Sequence, residues 1–141
     1  KSIIKNAVKA SQNSITCVAP FIQKAAAFAL SDAGVQKEAE TIRAAYARRR
    51  TLVMRIASEY SKSPLKLMPP QGAFYFFLDL RFLARTSLQI SEQILETEGV
   101  ALVPGSAFGK EGEGFVRMTI AASDEDIEAG IRAIFEWVEE Q

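Results

Sequence analysis

The spacing of apolar residues changes once along this chain, near residue 60, and this change limits the fold to a mixed class. Before it, apolar side chains recur at steps of three and four, as on one face of a helix. The pattern predicts two short helices, at 1–10 and 21–30, and one long amphipathic helix from about Val35 to about Tyr60. Pro20 directly precedes the second short helix, where proline favours a helix start.

After residue 60, apolar residues come in short runs bounded by proline and glycine, which is typical of strands. Two helices accompany them: one over 87–98, which Gly99 ends as a C-cap, and a final one beginning at Ser123 with acids in its first turn. Helices first, then a small mixed or antiparallel sheet covered by helices, make this an α+β domain. The strand at 72–80 is apolar on both faces, so we expect it to be covered on both sides. The other predicted strands lie at 65–68, 100–103 and 115–121.

One arginine interrupts the apolar pattern of the last predicted strand. There, apolar residues alternate onto one face, whereas Arg117 points to the other. The pattern allows a solvent-facing arginine on a half-exposed sheet, but a guanidinium fixed on a strand also suits a carboxylate, which accepts two hydrogen bonds from it. The preceding Pro104, Gly105 and Ser106 favour the second interpretation. Pro-Gly is the order of a type II turn, which would bring backbone N–H groups to the strand ends.

The composition argues against several other kinds of site. Lysine plus arginine equals aspartate plus glutamate, at 17 each, so no charge imbalance indicates a nucleic acid or membrane partner. The absence of histidine excludes metal sites built on imidazole, and Ser-His or Cys-His catalysis, within this chain. The single cysteine, Cys17, excludes an internal disulfide and fits a reducing compartment. The glycines between 105 and 114 lack the spacing of a dinucleotide or phosphate loop, and we interpret them as a flexible loop.

Several short segments carry more information together than each does alone. They are, in order, Gly72-Ala73-Phe74-Tyr75, Val103-Pro104-Gly105 with Phe108-Gly109, Phe115-Val116-Arg117-Met118-Thr119-Ile120-Ala121, and the acidic-capped final helix. Their order and spacing resemble the C-terminal part of class I and II aminotransferases, which are fold-type I enzymes dependent on pyridoxal 5'-phosphate. The resemblance runs through nearly the whole chain.

This resemblance implies a domain division and a role for the arginine. Residues 1–34 would be a connecting helical segment from a large domain outside this chain, and residues 35–141 would be the C-terminal small domain. Arg117 would bind the α-carboxylate of the amino-acid substrate, and Pro104, Gly105 and Ser106 would form an active-site loop. The small domain would close on the large one when substrate binds.

The resemblance also implies the nature of the parent protein. It would be a cytoplasmic homodimer that transfers an amino group from an amino acid to a 2-oxo acid, with pyridoxal 5'-phosphate bound mainly by the large domain. Lys5 lacks the Gly-x-Arg-x-Gly that follows the family's Schiff-base lysine. We therefore expect no catalytic, cofactor-binding or metal-binding residue in this chain, and no activity from it alone.

Two other interpretations stay open at this point. One is a self-contained, non-catalytic α+β module whose Arg117 loop binds a small carboxylate, and the other is a structural domain with Arg117 in solvent. The substrate is open among aspartate, aromatic, alanine and branched-chain amino acids, and a decarboxylase or carbon–sulfur lyase of the same fold would share this region. The opening, without a start methionine or a signal-peptide pattern, predicts a cut inside a longer chain.

Overall fold

The computed structural model describes every residue except Lys1 and Thr16. In this described part the chain forms five α-helices and four strands, with short 3₁₀ turns at 81–83, 105–108 and 110–112. The predicted α+β class is confirmed, because helices come first and a small antiparallel sheet follows them. The elements in chain order are α1 (Ser2–Ser14), α2 (Pro20–Ser31), α3 (Ala33–Glu59), β1 (Lys66–Met68), β2 (Tyr75–Asp79), α4 (Ser87–Glu98), β3 (Val103–Pro104), β4 (Phe115–Thr119) and α5 (Asp124–Glu139).

The chain divides into two compact units, Lys1–Ile42 and Arg43–Gln141, and the boundary falls inside α3. In the first unit, Pro20 begins α2 as expected, and α1 continues past its predicted end at residue 10. Among the residues described, α1 and α2 contain no buried side chain. Nor does any helix in the described ranges combine the length and the hydrophobicity that crossing a membrane requires.

The second unit is built on a sheet with the strand order β1-β2-β4-β3, in which every pairing is antiparallel. Alternate residues of the two central strands are buried: Phe76 and Leu78 on β2, and Val116 and Met118 on β4. This is the alternation that a sheet with one covered face produces. Residues of three helices complete the hydrophobic core: Val53 and Ile56 of α3, Ile90 and Ile94 of α4, and Ile127, Ile131, Ile134, Phe135, Trp137 and Val138 of α5.

The opposite face of the sheet is only half covered. Tyr75 and Phe77 of β2 lie on it beside Phe115 and Arg117 of β4, and all four are half-buried. The expectation that strand 72–80 is covered on both sides is therefore not met within this chain, because the core helices pack with the other face. Arg117 is left accessible in the middle of an aromatic surface.

The N-terminus of α5 has the features that its sequence predicts. The Ser123 side chain caps the helix by accepting a backbone N–H of the first turn at 3.0 Å. Asp124 also pairs with Arg48 and Arg49 of α3, each at 3.0 Å. Hydrogen bonds from these two guanidinium groups hold the pKa of the Asp124 carboxyl below its usual value. Arg48 and Arg49 therefore have a structural role.

Candidate carboxylate-binding site

Arg117 lies at the middle of β4, between two neighbouring strands. It stands opposite Phe77 on β2 and opposite Val103 on β3. The carbon of its guanidinium group lies 4.1 Å from the ring centroid of Tyr75 and 4.4 Å from that of Phe108. Both distances are within the range of cation–π contacts, which attract the charge to the ring face. The half-buried guanidinium is thus held by two aromatic rings from separate elements.

Arg117 has no acidic partner among the residues that the structure describes. Arg81, which lies over the ring of Phe115, is by contrast paired with Asp79 at 2.7 Å. The hydrogen bonds from Arg81 hold the pKa of the Asp79 carboxyl below its usual value. The positive charge of Arg117 is therefore not compensated by a side chain, and its N–H donors can serve a ligand. A carboxylate is the natural match, because it accepts two parallel hydrogen bonds from a guanidinium group.

The predicted loop begins next to this arginine, but its backbone differs from the prediction. Pro104 ends β3, and Gly105 opens a 3₁₀ turn instead of forming a type II turn, which would require a positive φ at Gly105. Glycine is required there for a different reason: a Cβ atom on Gly105 would overlap the carbonyl oxygen of Gly112, and the converse also holds. The close approach of these two backbone segments makes 105–112 a compact loop, whereas the sequence indicated a flexible one.

Ser106 is bound to the first turn of α4. The buried Ser87 hydroxyl donates to the Ser106 hydroxyl at 3.0 Å and accepts the Ser106 backbone N–H at 3.2 Å. The Ser87 backbone N–H donates to the Glu113 carboxylate at 2.5 Å, and Gly114 donates to the same oxygen at 3.3 Å. The bond from Ser87 is the main reason why the pKa of the Glu113 carboxyl is lowered. The hydroxyl of Ser106 is thus used inside the fold, to fasten the loop.

The sequence placed Arg117 on the correct face but missed both of its aromatic neighbours. Alternation within a strand shows which residues share a face, and it assigned Tyr75 and Phe77 to one side of β2. It does not show which residues of two strands stand opposite each other, since register is set by non-local pairing. Phe108 is harder still to identify, because it lies in a 3₁₀ turn without periodicity.

The side chains next to Arg117 include none that would join pyridoxal phosphate to the protein. The cofactor needs an amine for its aldehyde and several donors for its phosphate. The side chains that contact or face Arg117 are those of Tyr75, Phe77, Val103 and Phe108, and none of them supplies an amine. In the part of the chain that the structure covers, no three acidic or cysteine side chains come together as metal ligands.

Comparison with known proteins identifies the family of this chain. A sequence model of the family "aminotransferase class I and II" matches residues 1–134. The aspartate aminotransferase of Pyrococcus abyssi is 44% identical over 126 residues, which cover 89% of this chain and 32% of that protein. The aromatic-amino-acid aminotransferase 2 of Thermococcus litoralis is 37% identical over the same share of each chain.

The fold agrees with the sequence comparison. The crystal structure of an aromatic aminotransferase from Pyrococcus horikoshii OT3 superposes with a TM-score of 0.80 at 41% identity, covering 98% of this chain and 36% of that one. The aspartate aminotransferase of Thermus thermophilus bound to maleate gives a TM-score of 0.75 at 31% identity over 96% of this chain and 34% of that one. This chain spans about a third of the length of the relatives that it matches. It belongs to the class I and II aminotransferases.

Proposed function

We propose that this chain is the C-terminal part of a pyridoxal-phosphate-dependent aminotransferase in which Arg117 binds the α-carboxylate of the substrate. Residues 1–34 form the connecting segment, and residues 35–141 form the small domain. One observation carries the proposal: Arg117 is half-buried, held by two aromatic rings, and without an acidic partner in the described chain. Such an arginine is prepared for an anion supplied from outside.

The chemistry of amino-group transfer fits a single carboxylate-binding arginine. An amino acid and a 2-oxo acid both carry a carboxylate next to the reacting carbon, so one guanidinium group can orient the substrates of both half-reactions. The half-buried surroundings strengthen this charge-assisted contact, because they exclude part of the competing water. Pyridoxal phosphate supplies the electron sink for such a transfer, and its binding belongs to the parent protein outside this chain.

The position of Arg117 also offers a way for substrate to favour closure of the small domain. A ligand that is bound by the large domain and contacts Arg117 only in the closed state shifts the equilibrium toward closure. Its differential affinity for the closed state sets the size of that shift. We extend the proposal to a homodimeric parent in the cytoplasm, for which the exposed, unpaired Cys17 fits a reducing compartment.

The test is steady-state kinetics of the full-length protein with a panel of amino acids and 2-oxo acids. We expect Arg117→Ala and Arg117→Lys to lower kcat/KM by about 100-fold for both kinds of substrate, since each loses the two parallel bonds to the carboxylate. The matched control is Arg43→Ala, which removes an exposed arginine from α3.

The outcomes separate the proposal from its alternative. Wild-type kinetics in the Arg117 variants would contradict the role of the arginine. A full-length protein that binds small carboxylates but transfers no amino group from any member of the panel is instead a non-catalytic binding module.

A further inference from the structure

We propose that Tyr75 and Phe108, here called the aromatic clamp, are positioning residues that hold the Arg117 guanidinium group with its N–H edge directed at the substrate carboxylate. The proposal rests on the proposed function of Arg117 and assigns the orientation of that arginine to two residues without charge. The guanidinium carbon lies 4.1 Å from the centroid of Tyr75 and 4.4 Å from that of Phe108.

Each ring of the clamp is braced by another ring. Tyr75 packs against Phe74 with centroids 4.4 Å apart, and Phe74 stacks on Tyr46 of α3 at 5.2 Å. Phe108 meets Phe77 edge to face at 5.6 Å. Aromatic pairs at these separations attract each other beyond simple burial. The clamp is therefore held by the sheet and by α3, and does not depend on Arg117 for its place.

The loop that carries Phe108 is fixed at two further points. Gly105 and Gly112 approach so closely that neither has room for a side chain. Ser106, two residues before Phe108, is bonded to the buried Ser87 of α4. A 3₁₀ turn fastened in this way presents its phenyl ring at a defined place over the sheet. Phe108 is nevertheless 49% exposed as a residue, so burial in the core does not explain a phenylalanine there.

Neither acid of the same loop forms an ion pair with Arg117 in the structure. The Glu113 carboxylate accepts backbone N–H groups of Ser87 and Gly114. Glu111 extends into solvent, and the nearest cation to it is Lys110 at 3.8 Å. Arg117 thus has ring faces as its neighbours and no internal carboxylate in the described chain, so a ligand does not have to displace one.

The clamp lowers the entropic cost of binding a carboxylate. A free arginine side chain must give up most of its rotational freedom when it forms two parallel hydrogen bonds, and this loss opposes binding. Contacts on the ring faces restrict the guanidinium group beforehand and leave its edge to the ligand. Because the amino acid and the 2-oxo acid share the carboxylate, the clamp acts equally on both substrates.

The test compares variants of the full-length protein by steady-state kinetics. We expect Phe108→Leu to raise KM about fivefold for the amino acid and for the 2-oxo acid, with kcat within about twofold of wild type. Phe108→Tyr keeps a ring and should restore wild-type KM. The matched control is Phe82→Leu, because Phe82 is similarly exposed, at 44%, and has no described aromatic or cationic partner.

A double-mutant cycle shows whether the ring acts through the arginine. If it does, Phe108→Leu has no further effect on KM in an Arg117→Ala background, which removes the cation altogether. Additive effects of the two substitutions on KM would overturn the clamp. A wild-type KM for Phe108→Leu would also overturn it if Arg117→Lys lowers kcat/KM. An Arg117→Lys variant with wild-type kinetics would instead overturn the proposed function itself. If Phe108→Leu does not fold, Tyr75→Leu enters the same cycle with Tyr75→Phe as the conservative variant.

Discussion

Gly105 and Gly112 are required because neither has a side chain. Neither has a positive φ, so their backbone angles are open to other residues. Each is glycine because a Cβ atom would overlap the carbonyl oxygen of the other. The sequence showed four glycines between 105 and 114, but it could not show which two meet, since the approach is a property of the folded loop.

We expect Gly112→Ala to lower the free energy of unfolding by about 2 kcal/mol, because the added methyl group has no space and the two backbone segments must separate. Urea denaturation measures the loss. Gly72→Ala is the matched control: no atom lies within 4 Å of the added Cβ atom and Gly72 has no positive φ, so its stability should equal or slightly exceed that of wild type. Equal stability of the two variants would show that the loop can open at no cost.

At the scale of elements, helix ends that carry a cap were predicted better than strand ends. The sequence placed α4 at 87–98 and ended it at Gly99, and the structure has the same limits, with Gly99 in the left-handed conformation. Helix caps are local signals, such as the reciprocal bonds between Thr86 and Gln89 at the start of α4. Strand ends depend on a partner instead. The strand predicted at 100–103 is found at Val103–Pro104, because these are the residues that pair with β4.

The Glu113 carboxylate adds a charge-assisted bond to the N-terminus of α4, and this bond should depend on pH. The pKa of Glu113 is lowered from 4.5, mainly by the Ser87 N–H. A group whose pKa is lowered by folding stabilises the folded state above its unfolded pKa, and this contribution is lost as the pH falls through the folded value. We therefore expect Glu113→Gln to be less stable than wild type at neutral pH, and this difference to shrink below pH 4.5.

Urea denaturation of both proteins in buffers from about pH 7 to about pH 3 tests the Glu113 prediction. Other carboxyl groups with lowered pKa values, such as those of Asp79 and Asp124, titrate alike in both proteins and cancel in the comparison. Glu111→Gln is the matched control, since the Glu111 side chain is 92% exposed and should show no such difference. A difference that is the same at every pH would rule out the carboxylate as its source.

At the scale of the whole molecule, the fold class followed from the change in apolar spacing, but the limits of the compact units did not. The structure divides the chain at residue 42, inside α3, where the helical pattern continues without a break. The sequence of a continuous helix does not show at which residue its packing partners change. Only part of the Arg117 site could be predicted in the same way. The arginine is visible in the sequence of one strand, but its neighbours come from three separate segments, which only the folded chain brings together.

We expect the two units of the 141-residue chain to differ in local stability. Helices α2 and α4 have 12 residues each, but α2 has no buried residue in the structure and α4 has four. Opening α2 therefore exposes little apolar surface, and its amides should exchange with solvent at least 100-fold faster than those of α4, a difference of about 3 kcal/mol. Hydrogen exchange followed by mass spectrometry measures both helices in one experiment. Equal protection would show that α2 is stabilised by contacts other than burial.

The alternation of β4 links the position of Arg117, and with it the proposed carboxylate site, to the packing of the core. Val116 and Met118 are buried on one side of the strand, and Arg117 stands between them on the other. Inserting or deleting one residue within the strand would turn the arginine inward and both apolar side chains outward. Changes in chain length can therefore be accommodated only outside Phe115–Thr119, in the segments that join this strand to its neighbours. Changes in the length of these connecting segments would therefore leave the guanidinium group on the same face of the sheet.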